Sequence, residues 1–188
     1  MSGPVPEGRD PDDYDRLRRR VLWSMPTGLF LVGSRSGDEA NLMAANLVVQ
    51  VATTPKLVAA AVEADSVTRR LIEAGGWFSV SLLARADRAV VRRFVKPVEE
   101  VVVAGGVLTS LQGEAVHQVA GGVPVLAGAA AWLACALRSV VDPGTDASVP
   151  SSHVLCIGEV VDAGEATGAG GPRVEVLRME DTRMNYGG

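Results

Sequence analysis

A chain of 188 residues has the length of one domain, at about 150 residues per domain. Hydrophobic residues make up 47% of it and the mean hydropathy is +0.20, which excludes an overall disordered chain. A formal charge of −4 and a pI near 5.2 exclude a phosphate-tracking nucleic-acid groove, which needs a surplus of basic residues on one face.

Aromatic residues are only 4%, while Gly numbers 21. The core must therefore come from Val, Leu and Ala, in strands joined by tight turns. The two cysteines, Cys135 and Cys156, supply neither a disulfide framework nor a CxxC pair, which points to a reducing cytoplasm. The N-terminus lacks the basic-then-apolar order of a signal peptide. Residues 115–137 carry no Asp, Glu, Lys or Arg and are long enough to span a bilayer. His117, Gln118, Gly121, Gly122 and Pro124 interrupt that run, and their polar groups would go unsatisfied in lipid, so no membrane span is expected.

In chain order, residues 1–9 are Pro- and Gly-rich and read as a flexible arm ahead of a single domain, residues 10–188. Asp10-Pro11 is a helix start, an N-cap followed by Pro at the first helical position. Tyr14, Leu17, Val21, Leu22 and Met25 follow at helical spacing, with Arg16, Arg18, Arg19 and Arg20 on the outer side. The arginine run reads first as a solvated helix face and only second as an anion site. Pro26 ends the helix, and residues 27–34 read as a strand. Residues 36–39 are turn chemistry, followed by a long apolar segment, 41–52. Pro55-Lys56 interrupts the pattern before a strand at 57–63. Asp65-Ser66-Val67-Thr68 opens a short helix to about Ala74, stopped by Gly75-Gly76. Residues 77–83 alternate as a half-buried strand. A second short helix over 86–94 brings Val90, Val91 and Phe94 to one side. Residues 97–128 give no clear signal, though a Gly-rich insertion at 97–122 would be able to shape the substrate side. Strands follow at 131–141, 153–161 and 173–178, with a loop at 143–146 and a polar tail. Short strands at close spacing with few helices predict an α+β, mostly β architecture, a closed or partly closed barrel.

No dinucleotide-binding GxGxxG, Walker A loop or GxSxG elbow is present, and the two His and two Cys do not make a zinc site. Both cysteines read as buried core thiols. The positive feature is a phosphate-sized polar site between the strand at 57–63 and the helix that follows. Ser66 and Thr68 bring hydroxyls, and the first helical turn brings free N–H groups and a positive dipole end. Arg69, Arg70 or Lys96 would add charge. The simpler reading is that Asp65 or Ser66 caps the helix, and Asp65 beside a phosphate counts against a ligand.

Met25-Pro26-Thr27-Gly28, then Asn41-Leu42-Met43-Ala44-Ala45-Asn46 and Val49-Gln50-Val51-Ala52-Thr53-Thr54-Pro55, carry a family resemblance. It continues through Ser66-Val67-Thr68, Phe78-Ser79-Val80-Ser81-Leu82-Leu83, Phe94-Val95-Lys96, and Ser152-His153 leading to Ile157-Gly158-Glu159-Val160. In order and spacing the chain resembles the flavin reductase-like, FMN-binding split-barrel family over roughly residues 14–186. The resemblance implies a homodimer of split barrels binding FMN, or FAD, near the subunit boundary. It implies hydride transfer from NADH or NADPH, with reduced flavin passed to a flavin-dependent monooxygenase. The flavin-contacting segment corresponds to Ala44, Ala45, Asn46, Val49 and Gln50, the phosphate contacts to Ser66 and Thr68 with Lys96 as a further candidate, and the nicotinamide side to His153. The sequence departs from the family where Ala44 replaces a common Thr, Asn46 a common Ser, and Ser151-Ser152 a Gly-Asp pair. His153 is equally suited to a structural hydrogen bond at a strand end, and His117 reads as structural or exposed.

Hydride transfer asks little of acid–base residues, because the chemistry belongs to the cofactors. The protein has to hold donor and acceptor about 3–3.5 Å apart, so no triad or carboxylate pair is expected. Two other functions share these features: an FMN-binding electron carrier or storage protein without nicotinamide turnover, and a split barrel adapted to haem or a deazaflavin.

Overall fold

The computed structural model describes residues 4–144, 150–166 and 175–182. Helix α1 (Pro11–Trp23) starts where expected: the Asp10 carboxylate accepts from the Asp12 and Asp13 N–H groups at 3.1 and 3.0 Å. Arg16 pairs with Asp13, and Arg18 and Arg19 pair with Asp15. The arginine run is thus a surface face of ion pairs. The expected apolar stripe is only partly covered, however: Tyr14 and Leu17 are half-buried. Val21, Leu22 and Met25 are 58, 57 and 62% exposed, and no residue of α1 is buried.

Seven antiparallel strands form the main sheet. They are β1 (Phe30–Ser36), β2 (Glu39–Ala45), β3 (Val48–Thr53), β4 (Lys56–Glu63), β5 (Trp77–Leu82), β10 (Ala131–Val141) and β11 (His153–Glu165), in the order β2-β1-β5-β10-β11-β4-β3. The two ends of that order, β2 and β3, are joined by Asn46 and Leu47 alone. Two residues span less than about 10 Å, so the sheet must curl until its edges meet. Its hydrogen-bond ladder is not closed between them, which makes the barrel split. The apolar segment 41–52 is therefore two strands, running in the same sense on either side of a break at Asn46-Leu47.

Inside the barrel lie Val32, Ala45, Val58, Ala60, Val62, Phe78, Val80, Cys135, Val154 and Cys156. Helix α2 (Val67–Gly75) plugs one end with Ile72. Ser66, rather than Asp65, is its N-cap, and Gly76 ends it in the left-handed conformation at φ 72°. Burial pushes the Cys135 thiol up to about 12 and the Cys156 thiol up to about 11, so both stay protonated near neutrality. An aromatic disulfide reagent is expected to label neither cysteine in the folded protein and both after denaturation; rapid labelling of the native chain would contradict this packing.

The segment 97–128, silent in the sequence, holds a second sheet of β6 (Val101–Ala104), β7 (Val107–Leu111), β8 (Glu114–Gln118) and β9 (Pro124–Leu126). It covers the outer face of β1, β2 and β5 through Leu31, Leu42, Leu108, Leu111, Val116 and Leu126. Two buried serines fasten it: Ser79 Oγ donates to the Pro124 carbonyl, and Ser81 Oγ accepts from Leu126 N–H. The helix expected at 86–94 is one α turn, α3 (Arg88–Val91), between two 3₁₀ turns. Val91 and Phe94 nonetheless reach the core as the spacing required. Of the strand expected at 173–178, Val176 and Arg178 make isolated bridges to Ala84 and Gly28, while Arg173 and Val174 lie outside the described residues. Thr145 and Asp146 of the expected loop, and Arg183 onward in the tail, also lie outside them. No helix among the described residues is long and apolar enough to cross a membrane.

Candidate functional site

The split in the barrel opens as a cleft of about 240 Å³ between the β2–β3 junction, the end of β4, the start of α2 and the segment after α3. Its walls bring together six sequence-predicted cofactor residues, Ala44, Ala45, Asn46, Ser66, Thr68 and Lys96, with His153 at the start of β11. These come from four separate parts of the chain. Val49 and Gln50 are not in this cleft. They lie on edge strand β3, where Val49 is 60% exposed and Gln50 Nε2 donates to its neighbour Ala52 O at 3.0 Å.

At the phosphate-sized end the two hydroxyls differ. Ser66 Oγ donates to Glu63 O at 2.7 Å and accepts from Arg69 N–H at 3.1 Å, so its proton is committed to the cap. Thr68 is 1% exposed, and its Oγ1 accepts from Asn41 Nδ2 at 2.9 Å. The N–H groups of Val67 and Thr68 belong to the first helical turn, which offers no intrahelical acceptors. Neither nearby arginine serves the cleft. Arg69 is held by Glu73 and Ala64 O, and Arg70 by Glu39, whose carboxyl it holds below the usual range. The cation left lining the cleft is Lys96. Glu63 and Asp65 are exposed at its mouth.

His153 pairs in register with Glu63 across β11 and β4. Its Nδ1 lies 2.9 Å from Ser152 Oγ, and Ser151 Oγ donates to His153 O at 2.7 Å. The Ser151-Ser152 departure thus supplies one hydrogen bond to the ring, from Ser152, and one to the His153 backbone carbonyl, from Ser151. His117 is exposed and makes an edge contact with Trp132, ring centroids 6.0 Å apart.

Sequence reasoning passed over Asn41 as a site residue. It is 3% exposed, lines the cleft, and accepts from Val98 N–H at 2.9 Å while donating to Thr68. Its only signal was an amide side chain at the head of an apolar run.

The arrangement fits a flavin phosphate by the chemistry of its donors: a hydroxyl, first-turn N–H groups and an ammonium, all offering hydrogens to an anion. Ala44 and Ala45 line the cleft with small side chains.

Residues 22–185 match the family described as "Flavin reductase like domain". An NADH-dependent FAD reductase of Streptomyces globisporus is 32% identical over 163 residues, covering 85% of this chain and 81% of that protein. A high molecular weight rubredoxin of Moorella thermoacetica is 30% identical over 147 residues, 77% of this chain. The match spans only 58% of the rubredoxin's length. Among solved structures, the NADH:FAD oxidoreductase of Streptomyces globisporus C-1027 aligns with a TM-score of 0.69 at 28% identity, covering 98% of both chains. The flavin reductase component of a bacterial two-component tryptophan halogenase aligns with a TM-score of 0.66 at 25% identity, over 87% of this chain and 91% of that one. The matched span takes in every strand of the curled sheet together with the cleft at its seam, and the chain belongs to the flavin reductase like domain family.

Proposed function

We propose that the chain is an NAD(P)H-dependent flavin reductase, an oxidoreductase acting on flavin that supplies reduced flavin to a partner oxygenase. The observation that carries this reading is the convergence of Ala44–Asn46, Thr68, Lys96 and His153 on one cleft. The Streptomyces globisporus relative named for NADH and FAD, and the halogenase reductase component, support both the nicotinamide and the oxygenase partner.

In this reading the phosphate lies at Thr68, the first-turn N–H groups and Lys96, with Ser66 shaping the turn as its cap. The ring system lies along the backbone of Ala44, Ala45 and Asn46. FMN satisfies those contacts, and FAD would extend beyond them. Two-electron hydride chemistry is supplied by the cofactors once bound; the chain binds, orients and shields. Val49 and Gln50 stand outside the cleft of one chain, beside exposed Val51 and Leu47. A homodimer with this apolar edge at its boundary would bury them and wall the cleft; light scattering at assay concentration tests it. Residues 10–188 act as one domain with residues 1–9 as an arm, and the protonated thiols suit the cytoplasm.

The test is the visible spectrum of the purified protein and the oxidation of NADH and NADPH, followed by absorbance with FMN or FAD added. Flavin-dependent turnover is expected. A tightly yellow protein without turnover would favour the electron carrier, and a colourless, inactive protein would overturn the reading.

His153 orients the nicotinamide side. His153→Ala is expected to raise the KM for NADH by about five-fold, the loss of one hydrogen-bonding contact, with flavin affinity within about two-fold. Equal changes in both would remove that role.

A further inference from the structure

We propose that Asn41 is a positioning residue that directs the Thr68 hydroxyl proton away from itself and toward the cleft, and ties the segment that follows Lys96 to the same wall. The proposal rests on the flavin-reductase reading above and concerns how that site selects a phosphate-bearing ligand.

The orientation of the Asn41 amide is not free. Val98 N–H, 2.9 Å from Oδ1, can only donate, so the amide oxygen must face Val98. The amide nitrogen then faces Thr68 Oγ1 at 2.9 Å and can only donate to it. Thr68 Oγ1 is therefore an acceptor toward Asn41, and its proton must point elsewhere. Asn41 is its one side-chain partner among the described residues. A hydroxyl proton buried at 1% exposure without an acceptor is costly, and the cleft that Thr68 lines is where a ligand acceptor would meet it.

The same amide joins two walls. Thr68 belongs to the first turn of α2, and Val98 follows Lys96 and Pro97, which line the cleft from the other side. A single buried side chain thereby sets the distance between the α2 donors and the lysine. Glu63 and Asp65 at the mouth would repel an anion, so its place depends on donors that cannot rotate away. A free threonine hydroxyl can turn its proton to any of three sides; the Asn41 bond closes one of them and leaves the proton to the directions that include the cleft.

The ligand feature this device recognises is the phosphate, not the ring. The experiment measures FMN and riboflavin dissociation constants by flavin fluorescence quenching for the wild type, Asn41→Leu, Thr68→Val and the double variant. The wild type is expected to prefer FMN. Each single variant should lose about ten-fold or more in FMN affinity, as for a hydrogen bond to a charged acceptor, with riboflavin within about two-fold. The double variant should lose less than the sum of the single losses, because the two residues share the Thr68 hydroxyl while Asn41 alone also holds the Lys96 segment through Val98.

Asn41→Asp guards against a simple folding defect. It keeps the Val98 bond but accepts the Thr68 proton, withdrawing it from the cleft. Its FMN loss should be smaller in the Thr68→Val background than in the wild type. Equal losses in both backgrounds, parallel losses of FMN and riboflavin, or additive losses in the double variant would overturn the proposal. Wild-type protein that binds both flavins equally overturns the phosphate placement, and wild-type protein that binds neither overturns the reductase reading and this inference with it.

Discussion

Ser66→Ala combined with Thr68→Ala is expected to weaken FMN binding by about 30- to 100-fold, with unequal shares. Thr68 is the hydroxyl with a proton to give, and a hydrogen bond to a charged acceptor contributes about 1.5–3 kcal/mol. Ser66 already gives its proton to Glu63 O and accepts from Arg69 N–H. Its loss acts through the helix: removing an N-cap costs about 1 kcal/mol of stability and frays the turn that presents the Val67 and Thr68 N–H groups. Thr68→Ala alone should therefore carry most of the affinity loss, and Ser66→Ala alone most of the fall in thermal stability. Isothermal titration with FMN, paired with thermal melts of each variant, separates the two. Unchanged affinity in the double variant would remove α2 from phosphate binding.

Gly33→Ala is expected to destabilise the fold by about 3 kcal/mol or more, the upper end for forcing a methyl into a packed core. Gly33 lies in β1 opposite Leu42 and Ser79. A Cβ there would stand 2.1 Å from the Pro124 carbonyl oxygen and 2.2 Å from Ser79 Oγ. The first is backbone and the second is the atom fastening it, so neither can yield without breaking the Ser79–Pro124 bond. Strand β9 would lift from the barrel, carrying the second sheet with it. Urea unfolding measures the loss, and a wild-type midpoint and slope would show that β9 does not lie where the Ser79 contact puts it.

Much of this architecture is legible in local patterns. Strands β4, β5 and β10, the caps at Asp10 and Gly76, and the inward face of Val91 and Phe94 follow from spacing and turn chemistry. The signals fail where local hydrophobicity is uninformative. Residues 41–52 read as one apolar segment although they divide into two strands at Asn46-Leu47. The valines of β6 and β7 carry no clean alternation because β6 is exposed throughout. Val21 and Leu22 keep helical spacing but are left exposed by the described residues.

The site divides along the same line. Ser66, Thr68 and Lys96 were recognisable as polar groups near a helix start, and the family resemblance named most of the cleft. Their division of labour was not visible, because it depends on which acceptor each hydroxyl meets. Ser66 meets a carbonyl three residues away, a local matter. Thr68 meets Asn41, distant in the chain, only because the curled sheet brings β2 against α2. Composition and periodicity report what a residue prefers and which neighbours it has along the chain. Where a proton points, and which lysine stands opposite it, is settled by contacts between segments that only closure of the barrel brings within hydrogen-bond reach.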